Sequence, residues 1–245
     1  MIVKKIIDEF RKGQVELKKQ NDQLLLQTEE LQWANIFHDT IKNKPWLNNI
    51  AISPGRWAVN YSFLYVLVKV LSDYKPIRII EFGLGESSKI VSSFLNFELM
   101  ESSHLIIEQN AQWMIEFEDK FILSPSSKII HLPLTKEIIK NCPVNVYQGF
   151  KEKVTGIYDL YLIDGPLGST NFSRYDICHI ADRLTKNDEF IIIMDDYNRS
   201  GEKDTAQDLL ENLASKGIKT YINTYVGIKS QLVIATEKYR FAISM

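Results

Sequence analysis

Residues 77–88, Ile-Arg-Ile-Ile-Glu-Phe-Gly-Leu-Gly-Glu-Ser-Ser, set an acid and two spaced glycines at the end of an apolar run. Gly83 and Gly85 let the backbone bend sharply and bring its N–H groups close to a ligand, and Ser87 and Ser88 can cap a helix that follows. A dinucleotide turn would carry a third glycine where Ser88 stands. Glu81, two residues ahead of Gly83, is badly placed beside a pyrophosphate and well placed beside a cationic amine or sulfonium. The plain alternative is a glycine turn that joins a strand to a helix and holds nothing.

Further carboxylates follow at the ends of later apolar runs. Glu108 lies 23 residues beyond Gly85 and can accept hydrogen bonds from both ribose hydroxyls of a nucleoside, or else cap the next helix. Gln109 and Asn110 are its candidate companions at the ligand, with Asn110 equally suited to the cap, and His131 and Leu132 would border the base. Asp164 opens the turn Asp-Gly-Pro-Leu-Gly, and Asp195 and Asp196 open Asp-Asp-Tyr-Asn-Arg. Three carboxylates at one rim repel and raise one another's pKa, so a cation is wanted: a divalent metal, or Arg174, Arg199 or Lys203.

The elements that must position these residues alternate along the chain. Strand-like runs end at Phe82, Glu108, Leu132, Asp164 and Asp195; helical patterns run to about Phe97, from Gln112 to Phe121, and near 175–184 and 205–215. Thr220–Tyr225 and Gln231–Thr236, joined through Gly227, read as a closing hairpin. The alternation predicts an α/β fold, a doubly wound, seven-stranded, mostly parallel sheet, whose ligands lie at the carboxyl ends of the strands. Ahead of it, Arg56 and Trp57 lead into an apolar helix over Tyr61–Leu71.

The N-terminus reads differently. Val3, Phe10, Leu17, Leu24 and Leu31 recur every seven residues, with Ile6 and Ile7 adding a second row only once, where Gly13, Gln20 and Gln27 stand later. The expectation is a helical arm over 1–45 and a domain over 46–245. The arm can dimerise as a coiled coil or clamp its own domain.

The pattern Glu-x-Gly-x-Gly-x-Ser resembles the first motif of the Rossmann-like, class I S-adenosylmethionine-dependent methyltransferases. A narrower resemblance, to methyltransferases encoded among bacterial surface-polysaccharide genes, is carried by Phe-Gly-Leu-Gly-Glu-Ser-Ser, Ile-Ile-Glu-Gln-Asn, Leu-Ile-Asp-Gly-Pro-Leu-Gly-Ser, Ser-Arg-Tyr-Asp and Met-Asp-Asp-Tyr-Asn-Arg-Ser-Gly-Glu-Lys, spanning Trp57 to about Gln231. The resemblance implies that Glu81, Gly83, Gly85, Ser87, Ser88, Glu108, Gln109 and Asp164 hold S-adenosylmethionine. It also implies methyl transfer to an oxygen of a sugar or another small hydroxyl acceptor. Asp164 and Asp196 are then the candidate bases, Arg199 a neutralising cation, and Tyr197 and Arg174 the groups that orient the acceptor; His179, inside a helical pattern, is a weaker candidate. Asp164, Asp195 and Asp196 are similar to the magnesium site of catechol-type O-methyltransferases, although Arg199 can take the metal's place. The rivals are a non-catalytic nucleotide-binding or assembly protein, and another transferase or lyase on the same scaffold.

Composition narrows the partners. Over 245 residues, Lys plus Arg is 29 and Asp plus Glu is 31, so no global basic field points to nucleic acid. Cys142 and Cys178 lack a metal-type repeat and suit a reducing compartment. Charge interrupts the N-terminus too early for a signal peptide, and no apolar run reaches the roughly 18 residues of a membrane span. The expectation is a cytoplasmic protein with a small-molecule or glycan acceptor, no nucleic acid partner and no membrane span.

Overall fold

In a computed structural model the described residues are 2–48, 50–55, 57–98 and 101–245, with side chains at 2, 3, 5 and 6 set aside. The expectations that fall on Arg56 and on the side chains of Val3 and Ile6 lie outside the described residues. The chain forms α1 (Ile2–Thr40), a 3₁₀ turn (Pro45–Leu47), α2 (Tyr61–Tyr74), β1 (Arg78–Phe82), α3 (Glu86–Glu98), β2 (Ser103–Glu108), α4 (Ala111–Glu118) and β3 (Ser127–His131). Next come β4 (Leu134–Ile139), β5 (Cys142–Tyr147), α5 (Phe150–Lys153), β6 (Leu160–Ile163), α6 (Asp176–Ala181), β7 (Ile191–Met194) and α7 (Ser200–Ser215). The chain closes with β8 (Tyr221–Val226), β9 (Ser230–Ala235) and 3₁₀ turns over Glu237–Ser244.

Seven strands form one sheet in the order β3-β2-β1-β6-β7-β9-β8. The first five pair in parallel, and β9 enters antiparallel to both β7 and β8. This is the doubly wound, Rossmann-like sheet that the sequence predicts, with its switch point between β1 and β6. Both faces are covered, which is why β6 and β7 are apolar throughout, while β1 carries Arg78 at its exposed start and the buried Glu81. Along β6, Leu160 and Leu162 pack with α2 and α3, while Tyr161 and Ile163 pack with α6 and α7; Ile191–Met194 of β7 divide in the same way.

One stretch departs from simple alternation. Between β3 and β6 the chain makes a separate antiparallel hairpin, β4–β5, which the sequence reading left without an element. Its two-residue turn holds Lys140 and Asn141 at φ of 48° and 66°, the mirror-image turn that matches strand twist. Thr-Lys-Glu interrupts β4 and Pro143 and Asn145 interrupt β5, so no apolar run announces either strand.

The arm is anchored at one end only. Phe37 is buried in the core against α2, and Trp33 stacks on Tyr65 and donates its indole N–H to the Val226 carbonyl at 2.7 Å. Truncating a buried phenylalanine of this kind costs about 3–5 kcal/mol. Glu30 reaches the start of α2, accepting from Tyr61 N–H, and also accepts from Asn60 Nδ2 and Ile228 N–H. By contrast Phe10, Leu17, Leu24 and Leu31 of the heptad row are exposed.

Candidate functional site

The carboxyl ends of β1, β2, β6 and β7 open on one cleft of about 210 Å³. Its floor is the turn after β1. Gly83 holds φ at 99° and donates its N–H to the Ile107 carbonyl. The β1 and β6 turns touch at Gly165, where a Cβ would meet Gly83 N at 2.9 Å and Phe82 C at 3.0 Å. A Cβ on Gly85 would meet nothing within 4 Å; it would point into open cleft, the arrangement expected where a ligand approaches bare backbone. Ser88 Oγ accepts the Gly85 N–H at 3.0 Å, one half of a capping box at the start of α3.

Glu108 ends β2 and lines the cleft. Oε1 accepts from Gln109 N–H and Asn110 N–H, and Oε2 from Leu84 N–H at 3.0 Å. A carboxylate has about four acceptor positions, so one is left for a ligand hydroxyl. The capping alternative falls to Asn110, whose side chain accepts from Gln112 N–H and Trp113 N–H. Gln109 lines the cleft too, and its Oε1 ties down Leu167 N–H at 2.8 Å, fixing the Asp164–Gly168 turn against β2.

Glu81 does not reach the cleft. It shares strand parity with Ile79 and points into the α3 layer, where it accepts from Ser87 Oγ and meets His104 Nε2 at 3.0 Å. The expected contact with a ligand cation is replaced by a buried acid–histidine–serine cluster, and the Ser87 hydroxyl is spent on it. Tyr197 is likewise displaced: its ring packs beside α7 and lines a separate groove with Lys203 and Ile228. His179 pairs with Glu137 on β4, away from the acids. His131 bonds the Gln109 carbonyl, and Leu132 is buried in the core.

The three rim aspartates do come together, with one oxygen of each within 4.8 Å of the others. Arg174, itself buried, sits among them: Nη2 donates to Asp164 Oδ1 at 3.1 Å and to Asp196 Oδ2 at 2.6 Å, and Nη1 to the Ile163 and Asp195 carbonyls. Arg199 reaches Asp196 Oδ2 at 3.0 Å, and Glu202 faces Arg174 Nε at 3.6 Å. Lys229, which the sequence reading missed, lies 3.4 Å from Asp195 and 3.7 Å from Asp196. Antiparallel pairing of β9 with β7 brings it there; the hairpin register was the signal available. Lys203 lies outside this set, in the separate groove.

Four carboxylates therefore face three cations. Burial first, and the Asp195 charge second, push the Asp164 carboxyl up to about 8 against the pull of Arg174 and Lys229. Burial alone would weaken the Arg174 guanidinium, but Asp164 and Asp196 hold its pKa above the ordinary value. Magnesium needs near-octahedral oxygen ligands at about 2.0–2.1 Å. Here Arg174 and Lys229 already occupy the space between the acids, so the set does not fit the expected divalent ion. Two details mark the rim as strained and incomplete. Asp196 and Arg174 hold φ of 58° and 61°, costing about 1–3 kcal/mol each in non-glycine residues. Asp196 Oδ1 is buried without a hydrogen bond and faces Lys229 Nζ at 3.7 Å.

The rim is also wired to the arm. Gln231 Nε2 donates to Asp195 Oδ1 at 2.9 Å and to Asn60 Oδ1 at 2.7 Å, and Asn60 Nδ2 donates to Glu30 Oε2 at 2.7 Å. At the mouth, Trp57 is 90% exposed and stands over a lobe shared with Trp113 and Gly85.

No family model matches the chain, and no curated protein matches it in sequence. Among solved structures it is similar to the SAH-bound Podospora anserina methyltransferase PaMTH1, at 14% identity over 84% of this chain and 87% of that one, with a TM-score of 0.42. A candidate O-methyltransferase from Klebsiella pneumoniae matches at 13% over 84% and 98%, with a TM-score of 0.49. The hMettl16 catalytic domain, solved with the MAT2A 3′UTR hairpin 6, matches at 13% over 82% and 79%, with a TM-score of 0.46. Among the described residues no helix is long and apolar enough to cross a membrane.

Proposed function

We propose that the cleft is the active site of an S-adenosylmethionine-dependent methyltransferase that acts on a hydroxyl of a small or glycan acceptor, with surface-polysaccharide sugars the class the sequence resemblance favours. The observation that carries this reading is the pair of carboxylates that line the cleft after β6 and β7, Asp164 and Asp196, with Arg174 and Arg199 beside them. When bound, the cofactor supplies a methyl group already activated on a sulfonium.

The chain's tasks are then alignment and deprotonation. The bare Gly83–Gly85 turn takes the ligand against its backbone, and Glu108 offers its remaining acceptor position to a ribose hydroxyl. Asp164, whose proton a bound cationic sulfonium would displace, suits the general base. It would take the proton that the acceptor oxygen loses when that oxygen receives the methyl group the cofactor would supply. Asp196, its carboxylate fixed by Arg174 and Arg199, borders the acceptor beside it. Two acids at this spacing suit the adjacent hydroxyls of a sugar ring. The near balance of charge in the chain supports a small acceptor over nucleic acid.

Isothermal titration with S-adenosylmethionine, S-adenosylhomocysteine and NAD tests the reading. Both sulfur nucleotides are expected to bind and NAD to fail; binding of neither sulfur nucleotide overturns it.

A further inference from the structure

The described side chains of α1 from 7 to 29 are all exposed. Leu26 still lines the groove beside Tyr197, so, counting from Ile2, about 24 residues leave the body, roughly 36 Å at 1.5 Å per residue. A free helix of this length owes its stability mainly to a packed face. The exposed row has one: Phe10, Leu17, Leu24 and Leu31 are 66%, 61%, 59% and 66% accessible. The positions beside the row are Gly13, Gln14, Gln20, Asn21, Gln27 and Thr28, none of them charged. Charges are confined to the other faces, as they are on a helix that packs along one seam.

The charges also run the wrong way for a lone helix. Residues 4–19 carry Lys4, Lys5, Arg11, Lys12, Lys18 and Lys19 against Asp8, Glu9 and Glu16, whereas residues 20–39 carry Asp22, Glu29, Glu30 and Asp39 with no Lys or Arg. The helix dipole favours acids at the start and bases at the end, and here that order is reversed. A second helix running the opposite way corrects both faults: its acidic half lies along the basic half, and its dipole opposes the first. A parallel partner would set base beside base.

We propose that the free part of α1 pairs antiparallel with the same helix of a second copy. The heptad row sets the register, with Leu17 opposite Leu17 and Phe10 opposite Leu24, so the two bodies sit at opposite ends of the seam. This rests on the arm alone and not on the activity of the cleft.

Sedimentation equilibrium of the full chain tests it over a concentration series at low and high salt. The expected result is a dimer that weakens with salt, as screening removes the charge attraction. The double variant Leu17→Glu with Leu24→Glu should be monomeric with an unchanged melting temperature of the body. Orientation is read by mixing Phe10→Cys chains with Leu24→Cys chains under mild oxidation, each carrying Cys142→Ser. Disulfide-linked mixed pairs are expected. A monomeric wild type, a monomer that instead floats with anionic vesicles, a dimer that survives the double variant, or cross-linking only between like chains would each overturn the proposal.

Discussion

The Glu30 carboxylate of α1 accepts the backbone N–H of Tyr61, the first residue of α2, at 2.7 Å. An anion at a helix start satisfies an otherwise orphaned donor and meets the positive end of the dipole. Glu30 also holds Asn60 and Ile228, and so begins the hydrogen-bond chain to Asp195. Glu30→Gln removes the charge and keeps one acceptor. It should lower unfolding free energy by about 1.5–3 kcal/mol, the worth of a charge-assisted bond, read by urea denaturation. A loss below about 0.5 kcal/mol would show that the anchor is carried by Trp33 and Phe37 alone.

The two glycines of the first turn should separate under substitution. Gly85 has open space where a Cβ would go and an ordinary φ, so Gly85→Ala is expected to leave stability unchanged or raise it by about 0.4–1 kcal/mol. It should nonetheless weaken S-adenosylhomocysteine binding by tenfold or more. Gly83→Ala, at φ 99° and against the Asp164 backbone, should lower the melting temperature. Equal effects of the two on melting and on binding would deny Gly85 a place in the ligand cradle.

Glu108 and Asp196 should divide binding from turnover. Glu108→Ala is expected to reduce S-adenosylhomocysteine affinity about 10–100-fold, as one charge-assisted bond contributes about 1.5–3 kcal/mol. Because this change also frees three backbone N–H groups, Glu108→Gln provides the folded control. Asp196→Ala, which removes the carboxylate held by Arg174 and Arg199, should keep affinity within about threefold and abolish methyl transfer. Equal loss of nucleotide affinity in both variants would disprove the division.

Stability should depend on pH through Asp164. Its folded pKa, about 8, lies above the ordinary carboxylate value of about 3.9. Between these limits the unfolded chain has lost a proton that the folded chain keeps, so stability falls as pH rises, by at most about 1.4 kcal/mol per unit. Asp164→Asn removes this dependence. The stability gap in favour of Asn should widen from pH 4 to 8 and level off above, as measured by denaturation at several pH values. A gap independent of pH would place the carboxyl in the ordinary range.

Much of this layout is legible in the chain because the central strands are covered on both faces. Leu160–Ile163 and Ile191–Met194 are unbroken apolar runs, Ile77–Phe82 is broken only by Arg78 and Glu81, and the turns that follow the runs open on the cleft by topology. Glu108, Asp164, Asp195 and Asp196 follow from that rule. Glu81 and Tyr197 escape it, since which way a side chain turns depends on strand parity and local packing. Lys229 belongs to the rim only through antiparallel register across β7 and β9, and the β4–β5 hairpin hides in a charged stretch closed by Lys140 and Asn141. On α1, the regular seven-residue row is the most readable feature, yet the residues that dock, Glu30, Trp33 and Phe37, lie off it.

Four acids against three cations leave one negative charge too many at the rim, and Asp164 settles the account by keeping a proton. Any cationic ligand that enters beside it makes that proton dispensable and sends it to the solvent. Ligand binding is then also a titration of the buffer. Heats measured in phosphate and in Tris will differ by the buffers' ionisation enthalpies, and affinity itself will rise with pH until the proton is already gone. Two laboratories working a single pH unit apart would report different dissociation constants for the same molecule, and both would be right.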